Sequence, residues 1–438
     1  MKPVVAIVSK QRLIGATNGS SAYVLSIARS LVDAGCSVHL IQPSPDIFGR
    51  TPYLKLQDEM SVFDRHVIRG AVAIGRWRVV MSPTIWIAAL AGMLRGLARK
   101  AGVKGKWVKD RPRPYSVATP WKRRDFAFVA ENLPENTVAL VADYMFCSPA
   151  FGVVGENCER KSRTSISATA IIMHDLFHAR GGADQDSVAL VERHRELELL
   201  AAAQTVFAIQ ESEFNFVQES LPDVRALLVP MPAQPVAEAE PGEEDRILFV
   251  GSHTAPNHVG LDWFFAKVWP IVLKHRPDCR LEVAGTVNRA FDHATRDRPI
   301  PENVRFLGMV PDLDENYRRA GVVISPLTFG SGLKIKLIEA LAKGKAIVAT
   351  PITLQGVEHE CRSAVACTDD PVQFAQHVVE LCASREKRAK LARNALECAE
   401  RQFSADSAHR ALRHWAEGAA RQGGAPAETS APLRNGQS

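Results

Sequence analysis

A chain of 438 residues that is 46% apolar and 23% charged, with a formal net charge of +6, can fill two or three domains with full cores. That excludes a disordered or fibrous protein. Its eight cysteines are scattered with no Cys-x-x-Cys, which excludes a zinc ribbon or a disulfide scaffold and fits a reducing cytoplasm.

The opening Met-Lys-Pro runs straight into Val4–Val8, an apolar strand without a cleavage site behind it, so no secretory leader is expected. Ser20–Ala34 reads as an amphipathic helix ended by Gly35, and Ser37–Ile41 as the next strand. Segment 65–124 then breaks the rhythm. It holds fifteen Lys or Arg with few acids, and Trp77, Trp86, Trp107 and Trp121 are interleaved with them. It reads as a basic insertion. Its most apolar run, Ile85–Met93, is far short of the roughly 20 residues that cross a bilayer. Cations beside interfacial aromatics suit the anionic surface of a membrane. A solvated loop and a nucleic-acid patch are the alternatives, and no recognisable nucleic-acid module accompanies the patch.

Thr137–Ala142, Ala168–Met173, Thr205–Ile209 and Ala226–Val229 are short apolar strands largely followed by helical sequence, the pattern of a doubly wound parallel sheet. The first domain is thus expected over 1–232, with a Pro- and acid-rich linker at 233–245. A second α/β domain follows at 246–402. Its strands are Arg246–Val250, Arg280–Ala284, Val304–Leu307, Val322–Ser325 and Ala346–Ala349, with helices at Leu261–Lys274, Pro371–Ser384 and Arg385–Gln402. A last helix within 403–420 is placed back against the first domain, and the Gly/Ala/Pro/Ser-rich tail from Arg421 reads as disordered. Two such sheets leave a cleft between their carboxyl ends, where ligands of open α/β folds bind.

The chemistry concentrates at those ends. After strand Val322–Ser325 comes Gly330-Ser331-Gly332-Leu-Lys334-Ile-Lys336, opening a helix that carries Glu339. A glycine turn at a helix N-terminus aims free N–H groups at one point, which suits a phosphate. Glu339 suits ribose hydroxyls. An ordinary strand–turn–helix crossover with a solvated Lys/Glu face fits the same residues equally well. Gly251, Ser252 and Asn257 follow the Arg246–Val250 strand and lie within reach of a diphosphate, or Asn257 caps the next helix. Gly15 to Ser21, with Asn18, Gly19 and Ser20, precede the first helix, where their N–H groups would meet donor phosphate or acceptor, or Ser20 is an N-cap. His174 ends an apolar strand at the cleft, with Asp175 and Arg180 close behind. No Ser-His-Asp, Cys-His or metal-ligand spacing is present to assign.

Several blocks in the second half occur in a familiar order: Phe249-Val-Gly-Ser with Pro256-Asn257, Val283-Ala-Gly285, Phe306-Leu-Gly308, Val310-Pro-Asp312, the glycine turn, then Glu339-Ala-Leu-Ala-Lys-Gly344. This string resembles the nucleotide-sugar-binding domain of retaining glycosyltransferases of the GT-B fold, family-four group, in a subgroup with a Gly-Ser-Gly-x-Lys-x-Lys loop. The resemblance implies that Glu339 grips the donor ribose, that Thr328 and Ser331 belong to the donor loop, and that His174 contacts the donor sugar. Glu339 matches the second glutamate of the family's Glu-x7-Glu motif. Ser331 stands where the family usually has the first, and the usual Arg and Lys after Gly251 are absent, so Lys334 or Lys336 is expected to neutralise the diphosphate. The resemblance further implies transfer to a glycan, expected here to be lipid-linked at the inner face of a membrane, with no metal or other cofactor. A sugar-nucleotide 2-epimerase and a non-catalytic assembly partner share the architecture. A dinucleotide oxidoreductase fits only the first strand and helix.

Overall fold

The computed structural model describes residues 2–102, 116–153, 166–179, 191–291, 299–330 and 333–423. Its first half is built on a seven-stranded parallel sheet, ordered Arg225–Leu228, Thr205–Ala208, Ala168–Met173, Thr137–Asp143, Val4–Val8, Ser37–Gln42 and Arg65–Ile68. Val4–Val8 and Thr137–Asp143 are buried at every residue, because a central parallel strand is covered on both faces.

The last of these strands corrects the expected insertion boundary. Arg65–Ile68 pairs in parallel with Ser37–Gln42 and belongs to the sheet; as an edge strand opening on Arg65 and His66 it lacks a continuous apolar run. Among the described residues the excursion comprises a three-stranded antiparallel sheet (Tyr53–Lys55, Trp77–Val80, Ala71–Ile74), which draws one strand from before residue 65, and helix Pro83–Lys100. The first helix also starts earlier than expected, at Gly19, because Asn18 rather than Ser20 caps it. The Asn18 side chain accepts from the Ser21 N–H (2.9 Å), and Ser21 Oγ accepts from the Asn18 N–H (3.0 Å).

The second half holds a six-stranded parallel sheet, ordered Val304–Gly308, Arg280–Ala284, Arg246–Val250, Val322–Ser325, Ala346–Ala349 and Ala366–Cys367. The helix expected over Leu261–Lys274 begins at Ala255 and is broken by a π turn at Phe264–Val268. Pro270 lacks the N–H that a regular ladder needs there. Residues 233–245 form a strap on this domain. Val236 N donates to Ala342 O (2.9 Å), Glu243 N to Arg319 O (2.9 Å), and the buried Lys345 Nζ to Glu240 O (2.8 Å). Gly242 takes φ +64°, and a Cβ there would lie 2.0 Å from Ala320 O, so only glycine fits this approach.

The chain crosses between the halves twice, side by side. Ala233 N donates to Phe403 O (2.6 Å), beside a parallel bridge from Ala233 to Ser404. Helix Arg410–Gly423 then packs on the first half, its Leu412, Trp415, Ala416 and Ala419 sharing that half's core. Trp415 meets Phe207 edge-on at 5.0 Å, and the buried His409 joins Ser30 Oγ (2.7 Å) to Pro230 O (3.1 Å). The tail expected from Arg421 is helical to Gly423, and the remainder lies outside the described residues.

Candidate active site

Val4–Val8 sits where the strand order of the first sheet reverses, between Thr137–Asp143 and Ser37–Gln42, the place where such sheets open a crevice. Ser9, at its carboxyl end, is buried and donates to Asp143 Oδ2 (2.5 Å). Asp143, itself fully buried, accepts from His174 Nε2 through its other oxygen (2.8 Å). Gln11, with its amide turned to satisfy both neighbours, adds a third donor to Asp143 (3.2 Å). As acceptor, Asp143 fixes a hydrogen on Nε2.

Aromatic rings hold the imidazole from two more sides. Tyr144 takes φ +64°, a strained angle for a residue with a Cβ, and so lies flat on His174 with centroids 3.9 Å apart and planes at 19°. Tyr23 meets it edge-on at 5.4 Å and anchors its own hydroxyl on Val229 O. Of this set the sequence singled out only His174. The available signal for Asp143 was an acid directly after a buried strand, but its pairing with a histidine 31 residues on requires the strand order.

The loop from Gly15 is shaped by packing. A Cβ on Gly15 (φ +150°) would lie 2.0 Å from Gln57 Oε1, so that glycine serves the fit of Gln57. Gly19 and Ser20 lie in the first helical turn, behind the Asn18 cap.

On the opposite side, the loop after Arg246–Val250 and the turn after Val322–Ser325 are pressed together. A Cβ on Gly260 would lie 2.6 Å from Pro326 O, and one on Gly330 (φ +128°) 3.3 Å from Pro256. Gly251 is less available than its motif suggests. Its N–H donates to Ala284 O (3.0 Å) and its carbonyl accepts from Val287 N (3.2 Å), so it packs the sheet end instead of offering a donor. Asn257 turns back on its own loop, donating to Ser252 O (3.0 Å), Ser252 Oγ (3.2 Å) and Thr254 Oγ1 (2.9 Å). Ser252 and Thr328 are exposed. Ser331, Gly332 and Arg180 lie outside the described residues.

Helix Ile335–Ala342 carries Glu339 one turn beyond Ile335, on the same face. Glu339 accepts from Lys336 Nζ at 2.6 Å, an ion pair half open to solvent. Beneath it lies Tyr317, whose hydroxyl is buried without an aligned partner. Burial, and after it the nearby Glu339 carboxylate, push that phenol's pKa up. Tyr317 carried no sequence signal, being one aromatic in a charged helix.

The two sides meet at the first turn of this helix. Leu333 packs against both cores, and a Cβ on Gly19 would lie 2.6 Å from Ile335 Cδ1. Between them Lys334 is sunk in the cleft, not spread on a solvated face. Burial lowers its pKa to about 8 against the opposing pull of Asp175, Glu213 and Glu358. Asp175 and Glu213 come from the first half and are buried. Asp175 Oδ1 accepts from Leu176 N (2.9 Å), and Glu213 accepts from Ser212 Oγ (2.7 Å) and Gln210 Nε2 (3.0 Å). Thus one lysine of the second half faces two acids of the first.

Glu213 gives this cluster a pH signature. Burial raises its pKa from 4.5 to about 7, so between those values the folded state binds the proton that the unfolded state has lost. The contribution of this group to stability therefore falls as pH rises from 4.5 to 7 and levels off above it, by about 3 kcal/mol at most. His66 and His409, whose pKa values burial lowers, contribute the opposite slope. Glu213→Gln should remove the Glu213 share, so its stability relative to the parent should rise between pH 4.5 and 7. Urea unfolding of both proteins across the range checks it, and parallel curves would disprove it.

Among the described residues, one cluster has metal-ligand spacing: Asp245, Cys279 and Cys382. It lies at the amino end of the Arg246–Val250 strand, away from the cleft, and Arg276 holds both Asp245 oxygens (2.7 and 2.8 Å).

Residues 244–384 match the model of the family described as Glycosyl transferases group 1. An uncharacterized 44.6 kDa protein in the cps region of Klebsiella pneumoniae is 26% identical over 156 residues, covering 34% of this chain. The match spans 40% of that relative's length. Among solved structures, sucrose-phosphate synthase from Thermosynechococcus elongatus superposes with a TM-score of 0.60 at 14% identity, over 96% of this chain and 99% of that one. TarM does so with 0.63 at 9% identity, over 95% and 99%. Anabaena HepE, in complex with UDP, gives 0.53 at 12%, over 95% and 99%. The architecture is GT-B: two Rossmann-like domains facing across a cleft.

Proposed function

We propose that this chain is a glycosyltransferase moving a sugar from a nucleoside diphosphate to a hydroxyl of a glycan acceptor, with retention of configuration, in polysaccharide or glycolipid synthesis. The observation that carries the reading is the meeting at one cleft of helix Ile335–Ala342, with Glu339 on the face of its cleft-contacting Ile335, and the buried Asp143–His174 pair. The family match over 244–384 lies on the donor side, and the cps-region relative supports a place in polysaccharide synthesis.

In this reading Glu339 accepts hydrogen bonds from the ribose diol. The departing diphosphate gathers negative charge beside the helix N-terminus, with Lys336 and Lys334 nearest in sequence to supply positive charge. That assignment needs no metal or cofactor. His174, held by Asp143, contacts the donor sugar, and the acceptor hydroxyl attacks from the leaving-group face while a diphosphate oxygen takes its proton. The bond from anomeric carbon to phosphate oxygen breaks as the new glycosidic bond forms, and no enzymic nucleophile is used. Closure of the halves on the donor keeps water out.

A thermal-shift screen of nucleotide sugars, followed by product analysis with glycan acceptors, tests this. UDP-sugars come first because the Anabaena neighbour is described with UDP. Transfer of the sugar with its anomeric configuration kept supports the reading. Conversion of the donor to its 2-epimer without acceptor, or binding with no turnover on any acceptor, would overturn it.

A further inference from the structure

The excursion from the first half has the wrong side facing outward for a protein in water. Eleven of the fourteen large apolar side chains that are exposed among the described residues fall between Tyr53 and Leu97. They form two ordered faces. Along helix Pro83–Lys100, Trp86, Ile87, Leu90, Met93, Leu94 and Leu97 are all exposed, and at 3.6 residues per turn they share an arc of about 120°. The helix is moored at its start, where Ile85 packs on the small cluster around Phe48 and Val80, and Trp86 Nε1 donates to Val80 O (2.8 Å). Farther out, a Cβ on Gly96 would touch nothing within 4 Å.

The antiparallel sheet repeats the theme. Its pairing sets Ile74 opposite Trp77, and Val72 and Tyr53 opposite Val79, on one face, while Leu54 and Val80 of the other face are buried. Tyr53, Val72, Ile74 and Trp77 are 49, 47, 61 and 41% exposed. Met81, 67% exposed, lies in the link between sheet and helix. Exposed apolar residues scattered singly need no explanation, but a concentration on consecutive elements marks a binding surface.

Charge selects the occupant. Residues 65–100 contain seven Lys or Arg and not one Asp or Glu. Some are engaged, Arg69 by Asp125 and Arg76 by Asp58, yet the apolar faces carry no acid that would repel an anionic surface. A protein partner or a second copy would need acidic or apolar complements of matching shape; a bilayer of anionic lipids supplies both properties over any area. No helix among the described residues is long and apolar enough to cross a membrane, so this one would lie in the interface with its apolar arc among the acyl chains.

We infer that helix Pro83–Lys100 and the outer face of the adjoining sheet dock this protein on the surface of an anionic bilayer. This surface is distinct from the cleft, and its test does not depend on the transferase reading. The full-length protein is sedimented with phosphatidylcholine vesicles with and without phosphatidylglycerol, at low and high salt, alongside a Leu90→Glu/Met93→Glu/Leu94→Glu variant. Binding is expected on the anionic vesicles only, weakening with salt, and falling at least about tenfold in the variant as acids replace buried methylenes. Quenching of tryptophan fluorescence by acyl-chain-brominated phosphatidylglycerol reports insertion on the unaltered protein. Absence of binding at low salt, binding without quenching, or a wild type that dimerises where the variant is monomeric would each overturn the proposal.

Discussion

Replacing Glu339 with alanine is expected to leave the protein folded while removing most of the thermal stabilisation that a nucleotide sugar confers. The side chain is partly exposed and its ion pair with Lys336 is half open to water; such pairs contribute less than about 1 kcal/mol to stability. Bound to a ribose, the same carboxylate would accept from two hydroxyls, each bond worth about 1.5–3 kcal/mol when the acceptor is charged. Losing both, about 3–6 kcal/mol in all, lowers affinity by roughly 10²- to 10⁴-fold, and the rise in midpoint at fixed ligand shrinks accordingly. Melting curves of both proteins against a titration of the donor are the measurement. A variant that responds like its parent would put the ribose elsewhere and remove the main support for the donor site. Because Lys336 is paired with Glu339, the donor must compete with or redirect that ammonium, which then lies beside the position proposed for the diphosphate.

Asp143→Asn should act on turnover rather than on binding. The aspartate is fully buried and accepts from Ser9, Gln11 and His174. An amide of the same shape can offer one oxygen, but its NH2 must then face a neighbour that also donates, so either Ser9 or the imidazole loses its partner. The ring can turn or change tautomer, and its contact with the sugar shifts. Loss of such a positioning contact lowers kcat by about 10²- to 10³-fold, with donor KM changed only severalfold because Glu339 and the helix N-terminus are untouched. Donor-induced stabilisation measured on the variant confirms that the cleft survives. A kcat within a few fold of the parent, with the cleft intact, would show His174 to be a packing residue. The stacked Tyr144 sharpens the comparison: Tyr144→Gly would relieve the left-handed backbone while freeing the ring, so an activity loss there would again point to imidazole placement.

How much of this was legible in the sequence depended on whether one strand could declare itself alone. Val4–Val8, Ala168–Met173 and Arg246–Val250 are apolar throughout because both faces are covered, and each was readable as a short β-branched or apolar run. Arg65–Ile68 was not, since an edge strand keeps polar side chains and here it opens into a basic stretch. The helix start at Asn18 was missed because Asn and Ser are comparable caps, and only the reciprocal bond with Ser21 decides between them. Within the cleft, Glu339 and His174 could be named from motif and strand end. Asp143, Tyr144, Tyr317 and Glu213 could not, for their roles come from neighbours 22 to 121 residues away that only the folded sheets bring close. Gly251 and Asn257 show the converse: a motif position whose hydrogen bonds the local structure has already used.

The paired crossings at 230–233 and 403–405 decide how the molecule can be taken apart. Two adjacent strands of chain act as a strap hinge, permitting rotation about one line while resisting twist across it. A protease nicking either crossing would leave the lobes tethered by the other. A gene cut at residue 232 would not yield an independent first lobe, because the socket around Phe207 would be left without Leu412 and Trp415. The carboxyl-terminal fourteen-residue helix is thus a keystone for the amino-terminal lobe, and truncations meant to trim a tail should end beyond Gly423.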